Sequence, residues 1–379
     1  MAFINGIGII SPQNTLPGSD FLMPAVEHTA DFLKSIEPVF KSYIDPIASR
    51  RLSRLIKMGI SSAKMCMQDA GYGMQDAGCR MQDAGCRMQD AGYGMQDAGC
   101  RMQDAIITGT GLGSVEDTEK ILGELTIEEK CLNPTPFIQS TYNTISSQIA
   151  IHLKCHQYNS TYVHRCFSFE SGLIDAMLQL QDGSATHVLA GGIDEMTPNH
   201  LKIIRRLGLW KNEAICNLDL WESLIPGALA GEGSAYFMIS GEESNTTYAR
   251  LQAVETLYRP GSTDETAAFI TRFLLSNGLS PLDVDLVLMG NNGLSAHDEV
   301  CNEVIGKALP GACRVLYKHL CGEYHTVSGF AMYIAANIIK RQTIPASLRV
   351  MTSAPKNPRN ILIHNHFMNI DHSFILIRK

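Results

Sequence analysis

The chain has 379 residues, 45% of them hydrophobic and 18% charged, with a formal net charge of −7. That composition describes a well-buried globular protein with material for one large domain or two packed halves, and it excludes a disordered chain. The acidic balance argues against nucleic acid as a main partner, no apolar run has the length needed to span a bilayer, and eleven cysteines without small-domain spacing point to a reducing cytoplasm.

Phe3 to Ile10 has no charged region ahead of it and reads as a first strand, not a signal peptide. Arg50 to Lys64 is a basic amphipathic helix. Met67-Gln-Asp-Ala-Gly then recurs at Met74, Met81, Met88 and Met95, and a truncated copy at Met102 closes the array. A seven-residue period suggests a coiled coil. Here, however, Met is the only large aliphatic residue of each unit, and each unit carries one or two glycines that cost helix stability. Cys79, Cys86 and Cys100 recur with the repeat, so their spacing reflects duplication and not metal chemistry. Gly71 to about Arg101 reads as a flexible surface excursion expanded by tandem duplication, with function elsewhere.

Ala105 to Gly109 reads as a buried strand running into the glycine-rich Thr110–Gly113. This turn lacks the lysine of a P-loop and the full dinucleotide spacing, so a tight turn is favoured over a phosphate cradle. Pro134 to Leu153 carries a helix with a polar start. Asn159 to Val163 is β-rich; from Leu173 the apolar positions Ile174, Met177 and Leu178 follow helical spacing until Gly183, and His187 to Ala190 resume a buried strand. A glycine-rich approach, Gly227 to Glu232, leads to another strand ending near Ser240, and the polar Gly241 to Thr247 marks a boundary. The pattern then starts again: a helix over Phe269–Leu275, a strand over Leu286–Gly290, a buried helix over Ser328–Ile339 and a closing β-pair over Ile361–Arg378. Two α/β halves, 1–245 and 246–379, are the natural reading.

Cys166 sits where the strand turns into the helix, where free backbone N–H groups and the helix dipole would stabilise a thiolate. The bland alternative is a small buried hydrophobe. His364 and His366 lie two apart on one strand face, with His372 near in sequence, but no cysteine or carboxylate is placed beside them. Hydrogen-bonded or solvated histidines are favoured over zinc, and no metal or cofactor is assigned. Two basic clusters, Arg50/Arg51/Arg54/Lys57 and Arg205/Arg206/Lys211, are either solvated faces or docking sites for an acidic partner.

Phe3-Ile-Asn-Gly-Ile-Gly-Ile-Ile-Ser-Pro, the helix ending in Asp69-Ala-Gly, Thr108-Gly-Thr-Gly-Leu-Gly, Ala190-Gly-Gly-Ile-Asp-Glu and Gly231-Glu-Gly-Ser-Ala, in that order and spacing, resemble the β-ketoacyl synthase branch of the thiolase-like superfamily. The resemblance covers nearly the whole chain outside the repeat and makes the first Asp69-Ala-Gly the native copy. It implies a five-layer αβαβα fold of two related halves, dimerising through its sheets. It also implies a decarboxylating Claisen condensation: an acyl group passes from an acyl carrier protein to Cys166, and a malonyl unit on a second carrier loses carbon dioxide and attacks. The pathway implied is fatty acid or polyene-type biosynthesis.

This chain departs from the family at both catalytic histidines. The first falls on Asn292, or on Gly290 with a small gap. At the second, Lys318 and Gly322 match but the histidine is Glu323, with His325 two residues on. Asn369 falls where a backbone N–H would complete the oxyanion hole. In one account Asn292 donates to the thioester carbonyl while Glu323 or a nearby histidine replaces the missing partner. In the other the chain is similar to a non-catalytic chain-length factor that scaffolds an active synthase. Retention of Cys166 favours the first. A thiolase acting on coenzyme A esters is disfavoured, because the C-terminal half has no evident second catalytic cysteine. Acyl carrier protein and a synthase subunit, in a homodimer or heterodimer, are the partners implied.

Overall fold

The computed structural model describes residues 1–72, 104–126 and 133–379. The reading of the heptapeptide array as a flexible excursion falls on residues 73–103, outside the described part.

One continuous sheet of eleven strands organises the chain. In chain order the strands are β1 (Ala2–Ile10), β2 (Ala105–Gly109), β3 (Tyr158–Tyr162), β4 (His187–Asp194), β5 (Gly233–Ser240), β6 (Ala249–Tyr258), β7 (Leu286–Met289), β8 (Cys313–Leu316), β9 (Arg349–Val350), β10 (Asn360–Phe367) and β11 (Asp371–Arg378). Their spatial order is β9-β8-β7-β10-β11-β6-β1-β5-β4-β2-β3. The two sides mirror each other. From the outside inwards, β3 and β2 are parallel, β2 and β4 parallel, and β4–β5 and β5–β1 antiparallel. Likewise β8 and β7 are parallel, β7 and β10 parallel, and β10–β11 and β11–β6 antiparallel. The antiparallel pair β1–β6 joins the sides.

Among the helices of the described residues are α1 (Arg54–Asp69), α2 (Val115–Thr126), α3 (Pro134–Ser140), α4 (Asn143–Leu153), α5 (Ser168–Gln181), α6 (Thr263–Ser276), α7 (Ser295–Ala308) and α8 (Ser328–Arg341). Strand alternation sorts the core into layers. Ala105 and Ile107 of β2 pack with Phe169 and Leu173 of α5 and Phe330 and Ile334 of α8, whereas Ile106 between them faces Ile56 and Ile60 of α1 and Ile149 of α4. On the other side Leu286 and Leu288 of β7 join the α5/α8 layer, while Val287 and Met289 face Phe273 of α6 and Ile305 of α7. The sequence of layers is therefore α1/α4, sheet, α5/α8, sheet, α6/α7, the five-layer αβαβα arrangement expected. Burial from Ser328 through Ile339 makes α8 its centre. Truncating Phe330 there would cost about 3–5 kcal/mol.

The helix expected over Pro134–Leu153 is two helices. Thr141 leaves the helical region at ψ 134°, and the Thr144 hydroxyl lies 2.7 Å from both the Thr141 hydroxyl and the Ile138 carbonyl. Side-chain hydroxyls here offer the backbone an alternative to continuing the helix. The first repeat copy belongs to the fold: Asp69 accepts from the Ile7 N–H at 2.9 Å and the Tyr248 hydroxyl at 3.0 Å. Gly6 lies against Ala70, where a Cβ would meet the Ala70 Cβ at 2.6 Å.

Candidate active site

The β3–α5 connection carries Cys166 in a single 3-10 turn, Arg165–Phe167, directly ahead of α5. Arg165 adopts φ 48°, a left-handed conformation that costs a non-glycine residue energy and bends the chain sharply here. Ser168 pins the bend, with its N–H side anchored in the turn and its Oγ donating to Thr110 O at 2.9 Å while accepting from the His164 N–H at 2.8 Å. The Cys166 side chain is only 4% exposed.

Facing it is His325, whose Nδ1 lies 3.1 Å from the Cys166 Sγ. The Thr110–Gly113 turn makes this contact. A Cβ on Gly111 would sit 2.3 Å from the His325 ring and 2.4 Å from its Cβ, so only glycine leaves the histidine room. Asp194, at the end of β4, ties both sides together: its carboxylate accepts from the Gly111 N–H at 2.7 Å and from the Thr326 N–H at 2.8 Å. The turn expected there is a turn, and its purpose is to seat a histidine.

Glu323 points elsewhere. Its Oε2 accepts from Lys318 Nζ at 2.6 Å and from Asn292 Nδ2 at 2.8 Å, and both side chains of the ion pair are buried. The Asn292 Oδ1 takes the Leu294 N–H at 3.1 Å, and the Asn292 and Gly293 N–H groups donate to Asp298 at 2.8 and 3.0 Å. Asn292 is thus held from three directions. Glu323 is fixed through its backbone, which exchanges hydrogen bonds with Leu229 and Gly231. Asn369 lies in the β10–β11 turn, where Met368 and Asn369 both have positive φ, as tight hairpins require. Its side chain reaches His297 O at 3.4 Å, and the preceding Phe367 packs on the His325 ring at 5.6 Å between centroids. Among the described residues neither the Cys166 nor the Asn369 backbone N–H donates to another group.

The electrostatics oppose the thiolate expected at the helix start. Burial raises the Cys166 thiol well above its ordinary value, and the charges of Glu323, Asp371, Glu170 and Asp194 raise it further. Glu170, one turn along α5, is itself raised by burial; the Ser328 and Ser373 hydroxyls beside it oppose that shift, yet neither oxygen makes a hydrogen bond of ordinary geometry. These surroundings favour the thiol form of Cys166 over the thiolate.

His364, His366 and His372 form a buried cluster. His364 Nε2 lies 3.1 Å from His372 Nδ1, and both ring nitrogens of His366 lack partners. Burial lowers the pKa of all three. Among the described residues no group of three ligands is placed to hold a metal.

A cavity of about 270 Å³ opens beside the site, lined by Arg165, Glu195, Trp210, His325 and Phe367 among others. Cys166 does not line it; His325 does. Three of the seven basic residues expected to dock a partner are engaged within the chain. Arg54 forks onto Glu232 at 2.9 and 2.5 Å, Lys211 is fully buried with Nζ on the Ile225 carbonyl, and Arg205 pairs with Asp31. Arg50, Arg51 and Arg206 remain exposed.

Sequence reasoning missed the positioning roles of Asp194, Asp298 and Gly111. The signals were present in Ala190-Gly-Gly-Ile-Asp-Glu and Thr108-Gly-Thr-Gly-Leu-Gly, but only the folded backbone shows what they hold.

A mirrored sheet, a central helix pair and a cysteine at the start of one of those helices make up a fold that known structures share. Residues 79–206, which include Cys166, match the family described as beta-ketoacyl synthase, N-terminal domain. No curated protein matches the chain. Among solved structures, the ishigamide ketosynthase/chain length factor superposes with a TM-score of 0.77 at 16% identity, covering 100% of this chain and 98% of that one. A beta-ketoacyl synthase from Burkholderia phymatum STM815 gives 0.78 at 12%, covering 100% and 99%. AntDE:AntF, a type II PKS acyl-carrier protein in complex with its ketosynthase bound to the hexaketide, gives 0.72 at 16%, covering 100% and 98%. The chain thus has the fold of the solved ketosynthases and chain length factors, and residues 79–206 carry the similarity to the β-ketoacyl synthase N-terminal domain.

Proposed function

We propose that this protein is an acyltransferase of the β-ketoacyl synthase type, in which Cys166 takes an acyl group from an acyl carrier protein as a thioester. One observation carries the reading: the Cys166 Sγ lies 3.1 Å from His325 Nδ1. A nucleophile and a base within hydrogen-bond reach are what covalent acyl transfer requires. Because the thiol rests protonated, attack on the carrier thioester passes the Sγ proton to Nδ1. The new Sγ–C bond forms, the carrier S–C bond breaks, and the proton follows to the leaving thiolate. The free N–H groups of Cys166 and Asn369 are the donors we assign to the tetrahedral oxyanion.

The mirrored strand order supports the division of the chain at 245/246. The AntDE:AntF complex supports acyl carrier protein as donor, and the ketosynthase/chain length factor structure supports a second synthase subunit as partner. The edge strand β3, half exposed with Tyr158 at 42%, offers unpaired backbone for a sheet-to-sheet dimer. A chain-length-factor-like role is the second reading, favoured by the burial of Cys166 and by the closed Lys318–Glu323–Asn292 cluster.

Intact-protein mass spectrometry with a panel of acyl carrier protein thioesters, run beside Cys166→Ala, tests the reading. An acyl adduct absent from the variant is expected. No adduct from any folded preparation would leave the scaffold role in its place.

A further inference from the structure

We propose that the acyl group held on Cys166 leaves by transfer to a second carrier-borne thiol and not by decarboxylative carbon–carbon bond formation, a specialisation that rests on Cys166 being the acyl acceptor.

Loss of carbon dioxide from a malonyl thioester leaves an enolate, with its charge on the thioester oxygen. Hydrogen-bond donors aimed at that oxygen and not already engaged are therefore needed. In this protein the donors nearest that task converge on a carboxylate. Lys318 Nζ and Asn292 Nδ2 both meet Glu323 Oε2, at 2.6 and 2.8 Å. Lys318 and Glu323 are buried, and Asn292 is locked by Leu294 and Asp298, so the cluster has no loose member to turn outward. An ionised carboxylate only accepts hydrogen bonds and repels a developing enolate.

Acyl transfer asks for none of what is missing. It needs a thiol, a base and N–H donors, and Cys166, His325 and the two free backbone N–H groups supply them. In the release step the entering thiol gives its proton to His325 Nδ1 and its sulfur bonds to the acyl carbon. The C–Sγ bond then breaks, and Cys166 recovers the proton from His325. One thioester is exchanged for another, with no carbon dioxide released and no redox change. The cavity at His325 and Phe367 offers a thiol arm a route to that end of the site.

The test uses the full-length protein, an acyl-loaded carrier as donor, and either a mass-tagged carrier bearing a free phosphopantetheine thiol or a malonyl-loaded carrier as acceptor. Expected are a Cys166 adduct and acyl transfer to the tagged thiol about 10²-fold above Cys166→Ala, the scale at which losing a nucleophile–base pair shows. No two-carbon-extended product should form on the malonyl carrier. An extended β-ketoacyl product overturns the inference while leaving the Cys166 reading intact, and so does an adduct that never passes to the thiol. No adduct at all sinks the Cys166 reading itself. Glu323→His, with Glu323→Gln as the milder replacement, should raise malonyl decarboxylation by about tenfold or more by removing the carboxylate. Two folded variants without any gain would overturn the role given to Glu323.

Discussion

Gly111→Ala is the sharpest single test of the proposed site, because it acts on the nucleophile–base pair while leaving both residues in the sequence. A Cβ at Gly111 would lie 2.3 Å from the His325 Cδ2 and 2.4 Å from both its Cγ and its Cβ. Carbon atoms settle at about 3.5–4.0 Å, so His325 must retreat by about 1 Å or more. Rotating the ring cannot relieve a clash that includes the His325 Cβ. The 3.1 Å contact between Sγ and Nδ1 would then open beyond useful range. Misplacement by about 1 Å costs on the order of 10²-fold in rate, while removing the base in His325→Ala should cost about 10²–10⁴-fold. The assay is time-resolved mass spectrometry of Cys166 acylation, with circular dichroism melts to show that each variant is folded. Gly123→Ala is the control: nothing lies within 4 Å of a Cβ there, inside α2, and the substitution should leave acylation unchanged. If the two residues act through one contact, Gly111→Ala in a His325→Ala background should add nearly nothing. A folded Gly111→Ala protein that acylates at the wild-type rate would refute the reasoning, and so would a double variant slower by a further factor of about 10².

Burial raises the Glu195 carboxyl from its ordinary 4.5 to about 7, although the Glu116 N–H partly opposes the shift. The unfolded chain gives up this proton first, so stability should fall as pH rises from about 4.5 to 7 and level off above; Glu195→Gln should flatten that slope, by at most about 3 kcal/mol in urea denaturation. His364 and His366 are held well below their ordinary 6.5 by burial. Their contribution is present above that value and is lost as pH falls below it, so His366→Asn should lessen acid destabilisation measured between pH 7.5 and 5. Lys318→Met strands a buried Glu323 carboxylate and should cost about 3–5 kcal/mol, most of it recovered in Lys318→Met/Glu323→Leu; a single-variant cost below about 1 kcal/mol would contradict the buried ion pair. Asp69→Ala should cost about 1–3 kcal/mol by leaving the Ile7 N–H and the Tyr248 hydroxyl unpaired, read from the shift in melting temperature.

Much of the fold was legible because its elements announce themselves locally. The apolar spacing from Leu173 to Leu178 does make a helix, and the strand–cysteine–helix order around Cys166 holds. What escaped was set by contacts between distant segments. The Pro134–Leu153 stretch has helical composition throughout, and the break at Thr141 comes from hydroxyls finding nearby backbone. Arg54 and Lys211 look like surface charge in the sequence, yet they are consumed by Glu232 and the Ile225 carbonyl, partners 178 and 14 residues away. The thiolate expected from the helix start is opposed in the same way. The dipole is local, whereas the burial of Cys166 and, after it, the charges of Glu323, Asp371 and Asp194 are set by distant segments. His325 was among the candidates, but only because it stood near a motif that had lost its histidine.

The site shows a physical division of labour. Some parts fix backbone position: Gly111 admits a ring, Asp194 staples two loops, Gly322 turns at φ 73°, and Lys318 pairs with Glu323 in the interior. Those parts are costly to change, because each is bound to several others in the interior. The groups that would face a substrate's developing charge are held by fewer constraints. A carboxylate at 323 then needs a buried cation to be tolerable, and Lys318 already provides one. His325 needs a gap in the opposite wall, and Gly111 provides it. Both Glu323 and His325 are thus accommodated by partners that the fold contains. The Cys166–His325 contact depends on the staples, whereas Asn292 and Lys318 are side chains that Glu323 already engages.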